Sequence, residues 1–219
     1  MTIVPFTFTS RIEAARLGHG EDRIATVALP DRLLAIVADG AGGTSGGAAA
    51  AEAICAALSE CADSVPASWG DWLAVLDRKI ASAPSCGLAA AVVIELRDDG
   101  AIVGASVGDC EAFIYGDGEP IDLTSAQHRK PLIGSGDAVP VSFSARASSG
   151  GTLVAGSDGL WRYMSRARIR EAASTRPLEA LATALVEAVK LRNRTLQDDV
   201  GVLVCEWSCG RPGERESGG

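Results

Sequence analysis

Four aspartates share one local setting. Asp39 follows the run Leu34–Ala38, Asp109 follows Ser106-Val107-Gly108, Asp158 follows Leu153–Ser157, and Asp198 precedes the run Val200–Val204. Each lies at the end of an apolar run that reads as a buried strand, and Asp39, Asp109 and Asp158 each adjoin a glycine. A carboxylate at a strand end is held rigidly and still faces solvent. Strands of one sheet that end together would gather such carboxylates at one edge. Like charges brought together repel, and burying them is costly unless something neutralises them. For an oxygen-only donor set the natural neutraliser is a hard divalent cation, magnesium or manganese more than zinc. Taken singly, each aspartate also has an ordinary reading. Asp39-Gly40 fits a turn before a helix, Asp109 a hairpin, Asp158 an N-cap, and Asp198-Asp199 a solvated turn.

The elements that must position these residues follow from periodicity. Strands are expected at 3–9, 24–29 and 33–38, with 10–22 a polar loop and Pro30-Asp31 a turn. An Ala-rich helix is expected from Thr44 to Ala62. A second is expected over Trp69–Ala81, with Trp72, Val75, Leu76 and Ile80 on one face. Strands at 88–96 and 101–107 join at Asp98-Asp99-Gly100, a strong hairpin signal. Another strand is expected at 112–115, then a loop over 124–138 and strands at 139–145 and 152–155. A short helix or turn at 160–164 precedes helices at 166–173 and 178–191, the latter begun by Pro177. A last strand spans 200–207. Strands, paired helices, many strands, paired helices and a strand make an α+β chain with antiparallel sheets.

Composition narrows the function. The chain has 219 residues, is 47% hydrophobic and 22% charged, and carries a formal net charge of −8. Without a basic run, nucleic acid is not an expected partner. No stretch approaches the roughly 18 apolar residues of a membrane span, and the N-terminus lacks the features of a signal peptide, so a cytoplasmic location is expected. The six cysteines form no CxxC pair and read as reduced thiols; Cys110 reads as packing. The two histidines, His19 and His128, sit in no recognisable catalytic motif. Any chemistry falls to carboxylates. One domain over 1–208 and a disordered tail over 209–219 are expected.

The order of the motifs says more. Glu21-Asp22, Val37-Ala38-Asp39-Gly40-Ala41-Gly42-Gly43, Ser106-Val107-Gly108-Asp109, Gly156-Ser157-Asp158-Gly159-Leu160-Trp161 and Asp198-Asp199-Val200-Gly201 occur in this sequence. Together they resemble the metal-dependent protein phosphatases of type 2C, the PPM superfamily, over residues 10 to 207. The resemblance implies a four-layer αββα sandwich, two antiparallel sheets flanked by helix pairs. It implies hydrolysis of phosphoserine and phosphothreonine by a hydroxide bridging two ions, Mn²⁺ or Mg²⁺, with a third ion in some relatives. By position, Asp39 would bridge both ions, the Gly40 carbonyl would ligate one, and Asp158 and Asp198 would hold the other. Asp22 would sit beside them, and Asp109 would hold the third. The partner implied is a phosphoprotein, a kinase or a kinase's target.

The chain departs from the family in places. Ala41 stands where eukaryotic relatives have histidine. Asp199 stands where many have Asn, so the ligand role goes to Asp198. The position of the phosphate-binding arginine is Leu17, which leaves Arg16, one place off, as the candidate, with Arg11 and Arg23 next. Residues 110–157 leave little room for the flap of longer relatives. His128 reads as structural or as part of a rim, and Arg129-Lys130 as a solvated basic spot. A second function stays open: a pseudophosphatase that binds a phosphoprotein without turnover. The missing arginine favours it, and Asp39, Asp158 and Asp198 argue against it.

Overall fold

The structure is a computed structural model that describes residues 6–41, 46–116, 118–147 and 150–207. Its strands are β1 (Phe6–Glu13), β2 (Arg23–Ala28), β3 (Arg32–Gly40), β4 (Ala89–Arg97), β5 (Ala101–Val107), β6 (Glu111–Tyr115), β7 (Ile121–Asp122), β8 (Val141–Arg146), β9 (Gly151–Gly156) and β10 (Val200–Trp207). Its helices are α1 (Gly47–Ser59), α2 (Trp69–Ala81), α3 (Asp158–Trp161), α4 (Arg166–Ala172) and α5 (Leu178–Val189).

Two antiparallel sheets, ordered β2-β3-β4-β5-β8 and β1-β10-β9-β6-β7, form the centre. Helices α1 and α2 cover the first sheet, and α3 to α5 the second. Period-two alternation explains why the central strands read as unbroken apolar runs: both faces are buried. In β3, Leu34, Ile36 and Ala38 face the helices, while Leu33, Ala35 and Val37 face the other sheet. In β10, Val200, Val202 and Val204 face the helices, while Leu203, Cys205 and Trp207 face inward. This is the expected αββα sandwich.

Several boundaries differ from the sequence reading. The first strand continues to Glu13, because the polar side chains of 10–13 lie on an edge strand paired with β10. The first helix starts at Gly47 rather than Thr44, which lies outside the described residues, and a 3-10 turn over Glu60–Ala62 closes it. On α2, Val75 is exposed; the buried positions are Trp69, Leu73, Leu76, Asp77 and Ile80. The two-residue β7 carried no periodic signal. Pro177 caps α5 rather than opening it. The tail 209–219, like Gly42 and Gly43, lies outside the described residues.

Candidate active site

The aspartates meet at one end of the sandwich, and both sheets contribute, not one as strand-end reasoning alone suggests. Asp39 ends β3 in the first sheet. Asp109 sits where the chain crosses from β5 to β6, between the sheets, and the Gly108 N–H donates to the His128 carbonyl there at 3.0 Å. Asp158 opens α3 just after β9, and Asp198 precedes β10; those two strands are neighbours in the second sheet.

Two glycines make this convergence possible. A Cβ on Gly40 would lie 2.6 Å from the Gly47 carbonyl oxygen, so only glycine lets the start of α1 pass the end of β3. A Cβ on Gly159 would overlap the Asp199 carbonyl. Glycine there lets α3 sit against the Asp198-Asp199 turn, which brings Asp158 and Asp198 side by side.

A cavity of about 430 Å³ lies at this end, walled by Asp39, Asp109, Asp158, Asp198, Lys130 and Arg162, among others. Lys130 is exposed, as expected of a solvated basic spot, and borders this cavity. Arg162 was not legible as a site residue, although its position four residues after Asp158 in a helical segment was an available signal. Its Nη1 donates to Asp158 Oδ2 at 2.8 Å and lies 3.6 Å from Asp198 Oδ2.

Asp22 is buried behind this wall. Ser157 Oγ donates to its Oδ2 at 2.6 Å, and Gly201 N–H donates to Ser157 Oγ at 2.9 Å. The other oxygen, Oδ1, is buried with no hydrogen-bond partner in the structure. Burial pushes the Asp22 carboxyl up to about 7, against the opposing Ser157 bond, with nearby aspartates adding to the rise. Burial, then the charges of Asp22 and Asp158, push Asp39 to about 9. Burial and Asp198 raise Asp158, with Arg162 opposing.

Asp199 has a role that sequence did not reveal. Its Oδ1 accepts from Ala15 N–H at 2.7 Å and its Oδ2 from Glu21 N–H at 2.6 Å. It clamps both ends of the loop that carries Arg16. That loop borders a second hollow, lined by Arg16 and His19, which shares Glu21, Asp198 and Asp199 with the first. Arg16 is thus beside the carboxylate cavity, not in its wall. Leu17 is fully exposed. His128 is exposed and supplies its backbone carbonyl. Arg23 is turned to the Gly20 and Asp22 carbonyls, and Arg11 to Thr183 and Glu13. Cys110 is fully buried, and burial raises its thiol well above the ordinary value.

The donor set is all oxygen, with a buried acceptor oxygen unpartnered behind it and carboxyls whose charge burial disfavours. That chemistry fits hard divalent cations. The side chains are spread around the wall: among the described residues no three acidic, histidine or cysteine side chains stand together as a ready ligand group. Arg162 occupies the space between Asp158 and Asp198.

Solved structures share this architecture. The catalytic domain of the serine/threonine phosphatase PstP, in complex with two manganese ions, superposes with a TM-score of 0.74 at 20% identity, covering 92% of this chain and 97% of that one. The serine/threonine phosphatase of S. agalactiae gives 0.76 at 22%, covering 91% and 98%. RsbX in complex with magnesium gives 0.72 at 17%, covering 93% and 96%. No curated protein sequence matches the chain. The chain shares the fold of the metal-dependent protein phosphatases of type 2C. More narrowly, the family model for stage II sporulation protein E (SpoIIE) matches residues 30–208, and the chain belongs to that family. No helix among the described residues is long and apolar enough to cross a membrane.

Proposed function

We propose that this chain hydrolyses phosphoserine and phosphothreonine in a protein substrate, using two divalent cations, Mn²⁺ or Mg²⁺, in the carboxylate cavity. The observation that carries the proposal is the convergence of Asp39, Asp109, Asp158 and Asp198, drawn from both sheets, on one cavity. Asp39 would serve both ions, with the Gly40 carbonyl on one, Asp158 and Asp198 on the other, and Asp109 on a weaker third. When bound, such ions supply hydroxide at neutral pH and offset charge on the phosphoryl oxygens.

The chain's own residues do the remaining work. The end of β3 fixes Asp39 in a half-buried setting where its charge is disfavoured until compensated. Ser157 holds one oxygen of Asp22 and leaves the other, buried and without a hydrogen-bond partner, as an acceptor. Asp199 sets the loop that presents Arg16 at the adjoining hollow, where Arg16 meets the phosphoprotein. Cys110, buried and with a raised thiol, offers no nucleophile, which supports direct attack on phosphorus without a covalent enzyme intermediate. The substrate is a phosphoprotein, a kinase or a kinase's target, in the cytoplasm, and residues 1–208 form the working unit.

A second reading draws on the Asp158–Arg162–Asp198 pairs, which neutralise two of the carboxylates from within. On that reading the chain binds a phosphoprotein without turnover. Phosphate release from a phosphoserine peptide separates the two. Release that depends on Mn²⁺, stops with EDTA and is lost in Asp39→Asn supports the enzyme. Peptide binding without release in Mn²⁺ supports the binding module.

A further inference from the structure

Resting on that proposed function, we propose that Arg162 is a substrate-binding residue of the site: it pairs with Asp158 and Asp198 before cations load, and moves to the phosphoryl oxygens of the substrate afterwards. The residue is placed for both roles. It follows α3 directly, four positions after Asp158, and its Nη1 reaches Asp158 Oδ2 at 2.8 Å and Asp198 Oδ2 at 3.6 Å. Its side chain is 55% exposed, which leaves it room to move. An ion pair with one end this exposed is weak, and a doubly charged cation competes with it for the carboxylates.

Two other arginines are engaged elsewhere, and Arg16 lines the adjoining hollow rather than this cavity. Arg166 pairs with Glu111, donates to the Trp161 carbonyl and stacks over the Trp161 ring. Arg23 donates to the Gly20 and Asp22 carbonyls. Lys130 shares the cavity wall, but its ammonium is a point charge. The planar guanidinium of Arg162 grips two phosphoryl oxygens at once, which fixes the phosphorus for in-line attack. Arg162 supplies such a grip from the wall of the carboxylate cavity itself.

Calorimetric titration of the full chain with Mn²⁺, followed by inorganic phosphate titrated into the Mn²⁺-loaded protein, tests this without any turnover. Arg162→Ala removes the internal competitor, so Mn²⁺ should bind about two- to fivefold tighter. Phosphate should then bind about tenfold or more weaker to the loaded protein. Arg162→Lys keeps the charge and loses the fork; its Mn²⁺ affinity should stay near native while phosphate binding falls in between. Native affinity for phosphate in Arg162→Ala overturns the proposal, as does weaker Mn²⁺ binding in that variant. If the native chain binds no Mn²⁺ at all, the two-ion function fails, and this role falls with it. Native Mn²⁺ binding with no effect of Arg162→Ala on either ligand overturns this role alone.

Discussion

Ser157 Oγ and Asp22 Oδ2 lie 2.6 Å apart, joining the end of β9 to the entry of β2 across the gap between the two sheets. The same hydroxyl accepts from Gly201 N–H, so one side chain satisfies a buried carboxylate and a buried amide. Ser157→Ala strands both groups. It should lower stability by about 2–5 kcal/mol in urea unfolding, because each unsatisfied buried group costs its desolvation. Mn²⁺ affinity should fall about 10- to 100-fold, as expected when the partner that orients a group beside a metal is lost. A variant as stable as the native chain would show that Asp22 finds another donor.

Asp39 and Asp109 should behave differently. Asp39→Ala removes the one carboxylate assigned to both ions and should abolish turnover. Asp109→Ala should leave two ions bound and lower activity only in part. Mn²⁺ calorimetry beside a turnover assay checks this; loss of all binding in Asp109→Ala with an active Asp39→Ala would reverse the assignments.

Asp77 is a buried acid on α2 that accepts from Gly134, Gly136 and Ala138 N–H at 2.7, 3.0 and 3.0 Å. It holds the loop that begins just past Lys130. Asp77→Ala should cost about 2–4 kcal/mol. Hydrogen exchange at those three amides should quicken, with the strand amides of β3 little changed outside global unfolding. Unchanged exchange at Gly134 would refute the role.

The fold was legible where both faces of an element were buried or one helical face was clear. Strands β5 and β10 and helix α2 fall at the expected limits for that reason. Residues 10–13 were not, because polar side chains on an edge strand look like a loop. Motif order singled out Asp39, Asp109, Asp158 and Asp198, and the structure places all four, at or near the ends of core strands, around one cavity. Arg162, Lys130 and Asp199 were not legible in this way. Arg162 and Lys130 are exposed, and nothing local in the sequence marks a solvated cation as bordering a cavity. Asp199 works through backbone donors at Ala15 and Glu21, far away in sequence, which no local pattern encodes.

Glu95 predicts the acid limb of stability. It is buried at 1% exposure, and burial alone would raise its carboxyl. Hydrogen bonds from Arg97 and Trp69, with the charges of Arg97 and Arg32, outweigh burial and hold it below 4.5. A depressed folded value means that this stabilisation is present above pH 4.5 and is lost as pH falls through the folded value. Glu95→Gln should therefore be less stable than the native chain at pH 7, and the difference should shrink below pH 4.5. A constant difference across that range in urea titrations would show that the charge of Glu95 is not what the arginines stabilise.

The central claim is that two cations share the cavity formed by Asp39, Asp109, Asp158 and Asp198. Anomalous diffraction at the manganese edge, from crystals of the native chain grown with Mn²⁺, tests it most directly. Two strong peaks are expected in that cavity, one against Asp39 and the Gly40 carbonyl and one against Asp158 and Asp198, with Arg162 turned away from both carboxylates. A map with no peak there, and Arg162 still bridging Asp158 and Asp198 at saturating Mn²⁺, would contradict it.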